Sequence, residues 1–227
     1  MSLPQPGSHG VTADGFVLAG GDSSRMGQDK SLVPLAGLPL VEHALTILRS
    51  AGLEPRIAGA KSDLSFFASV VPDEPSQSGL GPLSGICSAL APGSAQYAVF
   101  LPIDLPLLPA SLIDYLLHHA VVTGAAAVTV SVAGFVHTFP VVIDRAALPV
   151  LQSSLRSNDR SCLRAFRAAA GALSRPFSIQ PIELLVQSGQ ISHPQGHPPG
   201  DWFLNVNSPR ELARADVLLS QKHDQVS

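Results

Sequence analysis

The sequence predicts an α/β protein, a Rossmann-like three-layer α/β/α arrangement in which a mainly parallel sheet carries helices on both faces. Three observations predict it. Short apolar runs of strand length alternate along the chain with longer stretches whose apolar residues recur at helical spacing, the order that parallel strands joined by crossover helices produce. Hydrophobic residues make up 45% of the 227 positions, enough for the core of one domain of that size. Glycines and acidic residues gather where the apolar runs end, which is the rim at which such sheets bind ligands.

Taken in order, residues 1–13 read as a disordered lead-in, 14–219 as a single domain and 220–227 as a polar tail. Residues 15–18 form a first strand. In 39–52 Leu40, Val41, Ala44, Leu45 and Leu48 recur at helical spacing, with Pro39 suited to a first turn and Gly52 to a C-terminal cap. Residues 54–60 read as a strand, 62–69 as a short helix, 70–72 as a strand ending at Asp73, and 76–85 as a loop. A helix follows over 82–90 and ends near Pro92-Gly93. The apolar run 97–101 is a strand that enters Pro102 and Asp104. Residues 110–122 are a helix, 125–132 and 139–143 two strands joined by a turn at Gly134, and 146–155 and 161–170 two helices. The last third holds a strand at 174–179, a short helix at 182–187, a strand at 203–206, and a helix from Pro209 to Leu219 capped by Ser208. Between them 189–201, GQISHPQGHPPGD, is so rich in Pro, Gly and His that a mobile, solvated loop is expected.

Composition narrows the function. A formal net charge of −3 argues against a nucleic-acid binder, which would concentrate basic residues on one face. No run approaches the roughly eighteen apolar residues that span a bilayer, and residues 1–10 hold no apolar signal core. Cys87 and Cys162 lie far apart in helical contexts, so two buried thiols are expected, in keeping with a reducing cytoplasm.

The chemistry concentrates in residues 16–30, FVLAGGDSSRMGQDK, where an apolar strand stops at two glycines and passes into a basic segment. Gly20 and Gly21 have no Cβ, so the backbone can turn there and bring its amides close to an anion, and Arg25 and Lys30 add cations. The spacing is neither that of a P-loop nor GxGxxG. Two glycines alone would better suit an ordinary turn, and the basic pair and the residues downstream reverse that reading. The parallel-sheet rule places Asp73, Asp104, Asn205 and Asn207 along the same rim, and glycines, cations and two carboxylates there suit a magnesium-bound nucleoside triphosphate.

These residues resemble the MobA-like nucleotidyltransferases. The resemblance spans about residues 15 to 219 and rests on four motifs in order: LAGGDSSRMGQDK from Leu18, VVPDEPSQSGLGPLSGI from Val70, LPIDLPLLP from Leu101 and FLNVNSPREL from Phe203. It implies the nucleotide-diphospho-sugar transferase form of the fold and, within the family, transfer of GMP from GTP to the phosphate of molybdenum-carrying molybdopterin. In that family the first loop binds the nucleotide, which falls on Leu18, Ala19, Gly20 and Gly21, with the motif lysine at Lys30 and a DEP aspartate at Asp73. The magnesium aspartate falls on Asp104, making Mg2+ the cofactor. Other molybdenum cofactor biosynthesis proteins and recipient molybdoenzymes would be transient partners, with no nucleic acid and no membrane.

The reaction needs positioning and charge stabilisation rather than a covalent nucleophile, so Arg25 and Lys30 are assigned to the β- and γ-phosphates and Asp104 to the metal. Asn205 and Asn207, neutral where related cytidylyltransferases carry a DVDTP-like segment, are assigned to the acceptor. The LAGG form, where those cytidylyltransferases have LAAG, also favours guanine. One position departs from the guanylyl pattern: an asparagine after the second strand is replaced within IAGAK, residues 57–61, so the base must be read through backbone or another group. A cytidylyltransferase, a nucleotidyltransferase for another phosphorylated acceptor, and a non-enzymatic nucleotide-binding module remain open. His193 and His197 lack a matched ligand set and are assigned no zinc; His137, Arg156 and Arg160 are weaker acceptor candidates, and Arg210, Glu211 and Arg214 are read as the exposed face of the last helix.

Overall fold

The sheet grows outward in both directions from its first strand. In the computed structural model, which describes residues 12–20, 29–59, 63–74, 79–157 and 159–220, β1 (Ala13–Leu18) pairs in parallel with two strands at once. These are β4 (Pro55–Ala58) on one side and β6 (Tyr97–Pro102) on the other. A two-residue ribbon, β2 (Pro34–Leu35) and β3 (Leu38–Pro39), precedes α1 (Leu40–Ser50). The edge beyond β4 is β5 (Val70–Val71), and α2 (Pro82–Leu90) carries the chain back to β6. After α3 (Ala110–Thr123) come β7 (Ala127–Val132), β8 (Phe135–Val136) and β9 (Val141–Asp144). The chain closes with α4 (Leu148–Arg156), α5 (Cys162–Leu173), β10 (Phe177–Pro181), α6 (Ile182–Gln187), α7 (Pro199–Trp202) and α8 (Pro209–Ser220). The sheet order is β10-β7-β9-β6-β1-β4-β5, with β8 beside β7.

The pairs β1/β4, β1/β6, β4/β5 and β7/β10 are parallel, as expected. β9 runs antiparallel to both β6 and β7 because no crossover helix precedes it. The chain turns back through Ala133 and Gly134, both at positive φ as a tight hairpin demands, and β8 forms on the return.

Both faces of the sheet are covered, and period-two alternation sorts the strand residues between them. Val17, Val99 and Leu101 face a core shared with Leu45 and Leu48 of α1, Leu112 and Leu116 of α3, and Trp202. Phe16, Leu18, Ala98 and Phe100 face the other, with Leu83 and Ile86 of α2, Leu151 of α4 and Phe166 of α5. Cys87 and Cys162 lie in this second core as free thiols, and burial pushes both pKa values up to about 12, which leaves them protonated and inert. Among the described residues no helix is long and apolar enough to cross a membrane.

Three segments differ from the sequence reading. Described residues 63–69 form a turn rather than a helix: the Asp63 carboxylate takes the Ser65 amide at 3.0 Å, an Asx turn that competes with helical bonding. Residues 203–206 form no strand, because the run contributes a single backbone bond to the sheet region, from Val206 N to Asp104 O at 2.9 Å. The 189–201 stretch is packed and ends in α7. Ile191 and Trp202 are buried, and the Trp202 indole donates to the His197 carbonyl at 2.7 Å. His193 is held by the Leu107 carbonyl at Nε2 and the Gln195 amide at Nδ1, each at 3.1 Å, a set that only the neutral ring satisfies. The lead-in before residue 12 and the tail after 220 lie outside the described residues.

Burial lowers the pKa of His119, His137 and His193, with His118 adding to the effect at His119 and His197 at His193. Folding therefore favours the neutral rings. Their contribution is full above the ordinary value of 6.5 and is lost as pH falls through the lowered values. Thermal melts between about pH 7.5 and 5.5 should show Tm falling on the acid side, and His193→Gln should flatten that dependence.

Candidate active site

Two polar clusters stand next to each other where β1, β4, β5 and β6 end. The first is a cradle of glycines around one carboxylate. The β1/β4 ladder continues one residue past β1, from Ala19 N to Ala58 O at 3.0 Å, and delivers Gly20 against Gly59. A Cβ on Gly20 would lie 2.7 Å from the Gly59 carbonyl oxygen, so the close approach of the two backbones requires glycine there. Gly59 turns with φ +70, and Gly85, in the first turns of α2, closes the other side.

Asp73, two residues past β5, points into this cradle. Its Oδ1 lies 3.5 Å from where a Cβ on Gly59 would stand and 3.7 Å from one on Gly85. That oxygen is buried and has no hydrogen-bond partner among the described residues. Burial accordingly raises the Asp73 pKa. A buried acceptor without a donor is a costly feature that stable proteins rarely keep, and a ligand donor is what would satisfy it.

The second cluster is built around Lys30. Asp29 caps a short 3-10 turn, Lys30–Leu32, by accepting the Ser31 amide at 2.8 Å. This fixes the lysine backbone and sends its side chain toward the turn after β6. There the ammonium lies 3.1 Å from Asp104 Oδ2 and donates to Asn207 Oδ1. Asn207 in turn donates to Asn205 Oδ1 at 2.6 Å. The closing segment is held in place by the Val206 amide on the Asp104 carbonyl and by a small core of Val33, Leu35, Leu40, Val206 and Ala215.

Glu211, expected on an exposed face, belongs to this cluster. Its Oε2 accepts from the Asn207 amide at 2.8 Å and the Ser208 hydroxyl at 3.0 Å, while the Glu211 amide returns to Ser208 Oγ at 3.3 Å. This is a capping box, and the Ser-x-x-Glu spacing at 208–211 was the signal that could have found it. The Asn207 amide lowers the Glu211 pKa most, with the Ser208 hydroxyl next and the Lys30 charge contributing last.

Of the residues singled out from the sequence, Leu18, Ala19 and Gly20 thus lie at the cradle with Asp73, and Lys30, Asp104, Asn205 and Asn207 meet in the second cluster. Gly21 and Arg25 lie outside the described residues. His193 and His197 have rings 4.7 Å apart and stay away from both clusters in their contacts. Among the described residues no three His, Cys, Asp or Glu side chains converge as a metal cage. One cluster offers an acceptor with nothing to accept, the other a cation and oxygen ligands, as a nucleotide base and its phosphates would require.

A switch-point sheet with a glycine closely packed after its first strand and a lysine facing an aspartate after its central one is the arrangement of a nucleotidyltransferase, and the family match agrees. The chain belongs to the MobA-like NTP transferase domain family, whose model matches residues 15–173. A molybdenum cofactor guanylyltransferase from Rhodobacter capsulatus is 32% identical over 91% of this chain and 96% of its own length. Among solved structures, molybdopterin-guanine dinucleotide biosynthesis protein A from Archaeoglobus fulgidus superposes with a TM-score of 0.72 at 20% identity, over 92% of this chain and 99% of that one. The 2-C-methyl-D-erythritol 4-phosphate cytidylyltransferase from Thermus thermophilus follows at TM-score 0.60 and 15% identity, over 90% and 97%. Identities this low speak to the fold, which all three chains share.

Two substitutions test the cradle. Gly20→Ala should force the loop off Gly59 and cost about 1–3 kcal/mol in urea unfolding, with loss of nucleotide binding. Asp73 carries a raised pKa, so its contribution to stability is present below the ordinary carboxylate value of 3.8 and is lost as pH rises through the raised one. At neutral pH the charge is a burden, and Asp73→Asn should raise Tm by a few degrees while weakening nucleotide binding in a fluorescence titration.

Proposed function

We propose that the protein transfers GMP from GTP to the phosphate of molybdenum-molybdopterin, forming the guanine dinucleotide cofactor and pyrophosphate. The observation that carries the nucleotide half is the buried Asp73 Oδ1, which lies in a glycine cradle without a hydrogen-bond partner among the described residues. Guanine presents two adjacent donors on its pairing edge, the ring N–H and the exocyclic amine, which one carboxylate accepts as a pair. Cytosine offers one amine beside a ring acceptor, which a carboxylate would repel. Asp73 thereby supplies a base contact in place of the asparagine missing within residues 57–61, and Gly59 lies beside it. The acceptor is drawn from the molybdenum cofactor guanylyltransferase of Rhodobacter capsulatus, with which the similarity runs nearly end to end.

The bond changes are simple. An oxygen of the acceptor phosphate bonds to the α-phosphorus of GTP as the bond to the β-phosphate oxygen breaks, and pyrophosphate leaves with the electron pair. The chain's residues bind and align the two reactants. Lys30 neutralises charge on the departing phosphates; a cation about 4 Å from a phosphate charge gains roughly 4 kcal/mol at an effective dielectric near 20. Arg25, on the same loop, is assigned the same task. Asn205 and Asn207 hold the acceptor phosphate beside them, and the Glu211 capping box keeps Asn207 in register.

Magnesium fits the second cluster. Asp104 offers a partly exposed carboxylate with the amide oxygens of Asn205 and Asn207 alongside, and a hard cation that retains waters and phosphate oxygens needs only one or two carboxylates. When bound, the metal supplies charge neutralisation at the α-phosphate. Residues 14–219 act as one domain in this reading, in the cytoplasm where both thiols stay reduced. The proteins that make the acceptor and the molybdoenzymes that receive the product are the transient partners.

The test is pyrophosphate release with magnesium, molybdopterin and each of GTP and CTP. GTP should be used and CTP not. Release with no triphosphate would overturn the enzyme reading, and a preference for CTP would overturn the guanine assignment. Asp104→Ala should lower turnover by about a hundredfold or more with an unchanged circular dichroism spectrum.

A further inference from the structure

Lys30 has a second occupation that the transfer reaction does not require. Its backbone is fixed by the Asp29 cap and by Val33, which takes the Leu40 amide at 3.0 Å and lies in the small core with Val206. Only the four-carbon side chain is left to move. That side chain is 13% exposed, and its ammonium spends its donors on Asp104 Oδ2 and Asn207 Oδ1, two of the oxygens suited to a divalent cation. The partner of the ammonium is itself held: Glu211 grips the Asn207 amide, and Asn205 takes the other end of the Asn207 side chain.

An ammonium 3.1 Å from a carboxylate oxygen and a divalent cation on the same carboxylate repel each other. The lysine therefore competes with the metal for Asp104 until something draws it away. A triphosphate does so, because it offers several negative oxygens where Asp104 offers one charge. We propose that Lys30 is a tethered cation that closes the metal site of the free protein and opens it only when a triphosphate takes the ammonium, so that metal and nucleotide bind as one. This rests on the transferase reading of the same site. It makes Lys30 the residue that couples the two ligands, and Glu211, through Asn207, the positioning residue that sets where Lys30 waits. The coupling is reciprocal, so the metal should tighten triphosphate binding by the same factor. It also predicts that the free protein discriminates against metal alone, since apparent affinity falls by the fraction of molecules in which the site is open.

The experiment uses Mn2+ as the probe, with free Mn2+ read by electron paramagnetic resonance, so that no turnover is needed. Lys30→Met should bind Mn2+ about tenfold more tightly than the wild type in the absence of nucleotide, and the gain should vanish in Lys30→Met/Asp104→Ala. Lys30→Arg, which keeps the charge, should show no gain. In the wild type, a GTP analogue with a methylene α–β bridge should produce Mn2+ binding tighter than the analogue alone gives in matched protein-free titrations, and Asp104→Ala should remove that excess. Equal Mn2+ affinity of wild type and Lys30→Met would overturn the proposal, as would strong Mn2+ binding by the free wild type at Asp104. Should Lys30→Met lose its circular dichroism signature, the wild-type titrations with and without the analogue decide alone. A gain in Lys30→Met with no nucleotide effect and no pyrophosphate release would leave the closed site standing and remove the transferase reading. Turnover of GTP with no gain would do the reverse.

Discussion

Everything at the rim depends on β1 having a parallel neighbour on each side. Pairing of Leu18 with Ala58 and with Pro102 aligns the ends of three strands, and the chain departs from β1 toward β4 and β5 on one side and β6 on the other. That reversal opens a crevice at the strands' carboxyl ends, where the loops diverge instead of packing on each other. The glycine cradle forms on the β4 side and the Lys30–Asp104 cluster on the β6 side. A nucleotide laid across the crevice would meet its base contact and its phosphate contacts on opposite sides of a single strand.

The second constraint is the return of the chain's last segment. Lys30 and Asp104 are 74 residues apart, and Lys30 and Asn207 are 177 apart, so neither contact arises locally. Val206 accomplishes both, with its amide on the Asp104 carbonyl and its side chain in a core with Val33 and Leu35, close behind Lys30. Burial of a few aliphatic side chains thus sets the distances between polar groups that must meet to within an ångström. The 189–201 stretch serves the same end. Trp202 buries beneath the sheet's first core, and His193 ties the stretch to the Leu107 carbonyl, just past Asp104, so the chain arrives at Asn205 from a fixed direction.

How much of this was legible follows from the range of the forces involved. Helix 182–187 and strand 97–101 were readable because their periodicity reflects burial on one or both faces of a regular element. Asp73 and Asp104 were readable as rim residues because each follows a strand. Residues 203–206 misled because FLNV alternates like a strand, yet Phe203 packs into the large core and Leu204 and Val206 into the small one. The Pro- and His-rich stretch misled because composition registers a lack of regular hydrogen bonds, and here side chains and caps make the bonds instead. Glu211 was hidden by its place on an amphipathic helix, where a capping glutamate and a solvated one look alike until the helix start is located. The cradle was the least legible part. Gly20, Gly59, Asp73 and Gly85 come from four segments, and nothing in one glycine announces that another backbone lies against it.

The two halves of the site are satisfied in opposite ways, and this bears on the order of events. Around Lys30 the polar groups satisfy one another, so that half is stable in the free protein and must be taken apart to work. Around Asp73 the buried oxygen has no donor among the described residues, so that half is open to a ligand donor. On the proposed reading, a base bound at Asp73 would relieve a desolvation cost already incurred by folding, whereas phosphates and metal would first have to break an ion pair. Recognition of the base would then meet the smaller opposing cost. A triphosphate on the wrong base would gain nothing at Asp73 and would have to open the Lys30 cluster unaided. Base choice would in this way be coupled to assembly of the proposed metal site through two clusters that share no residue and lie on either side of β1.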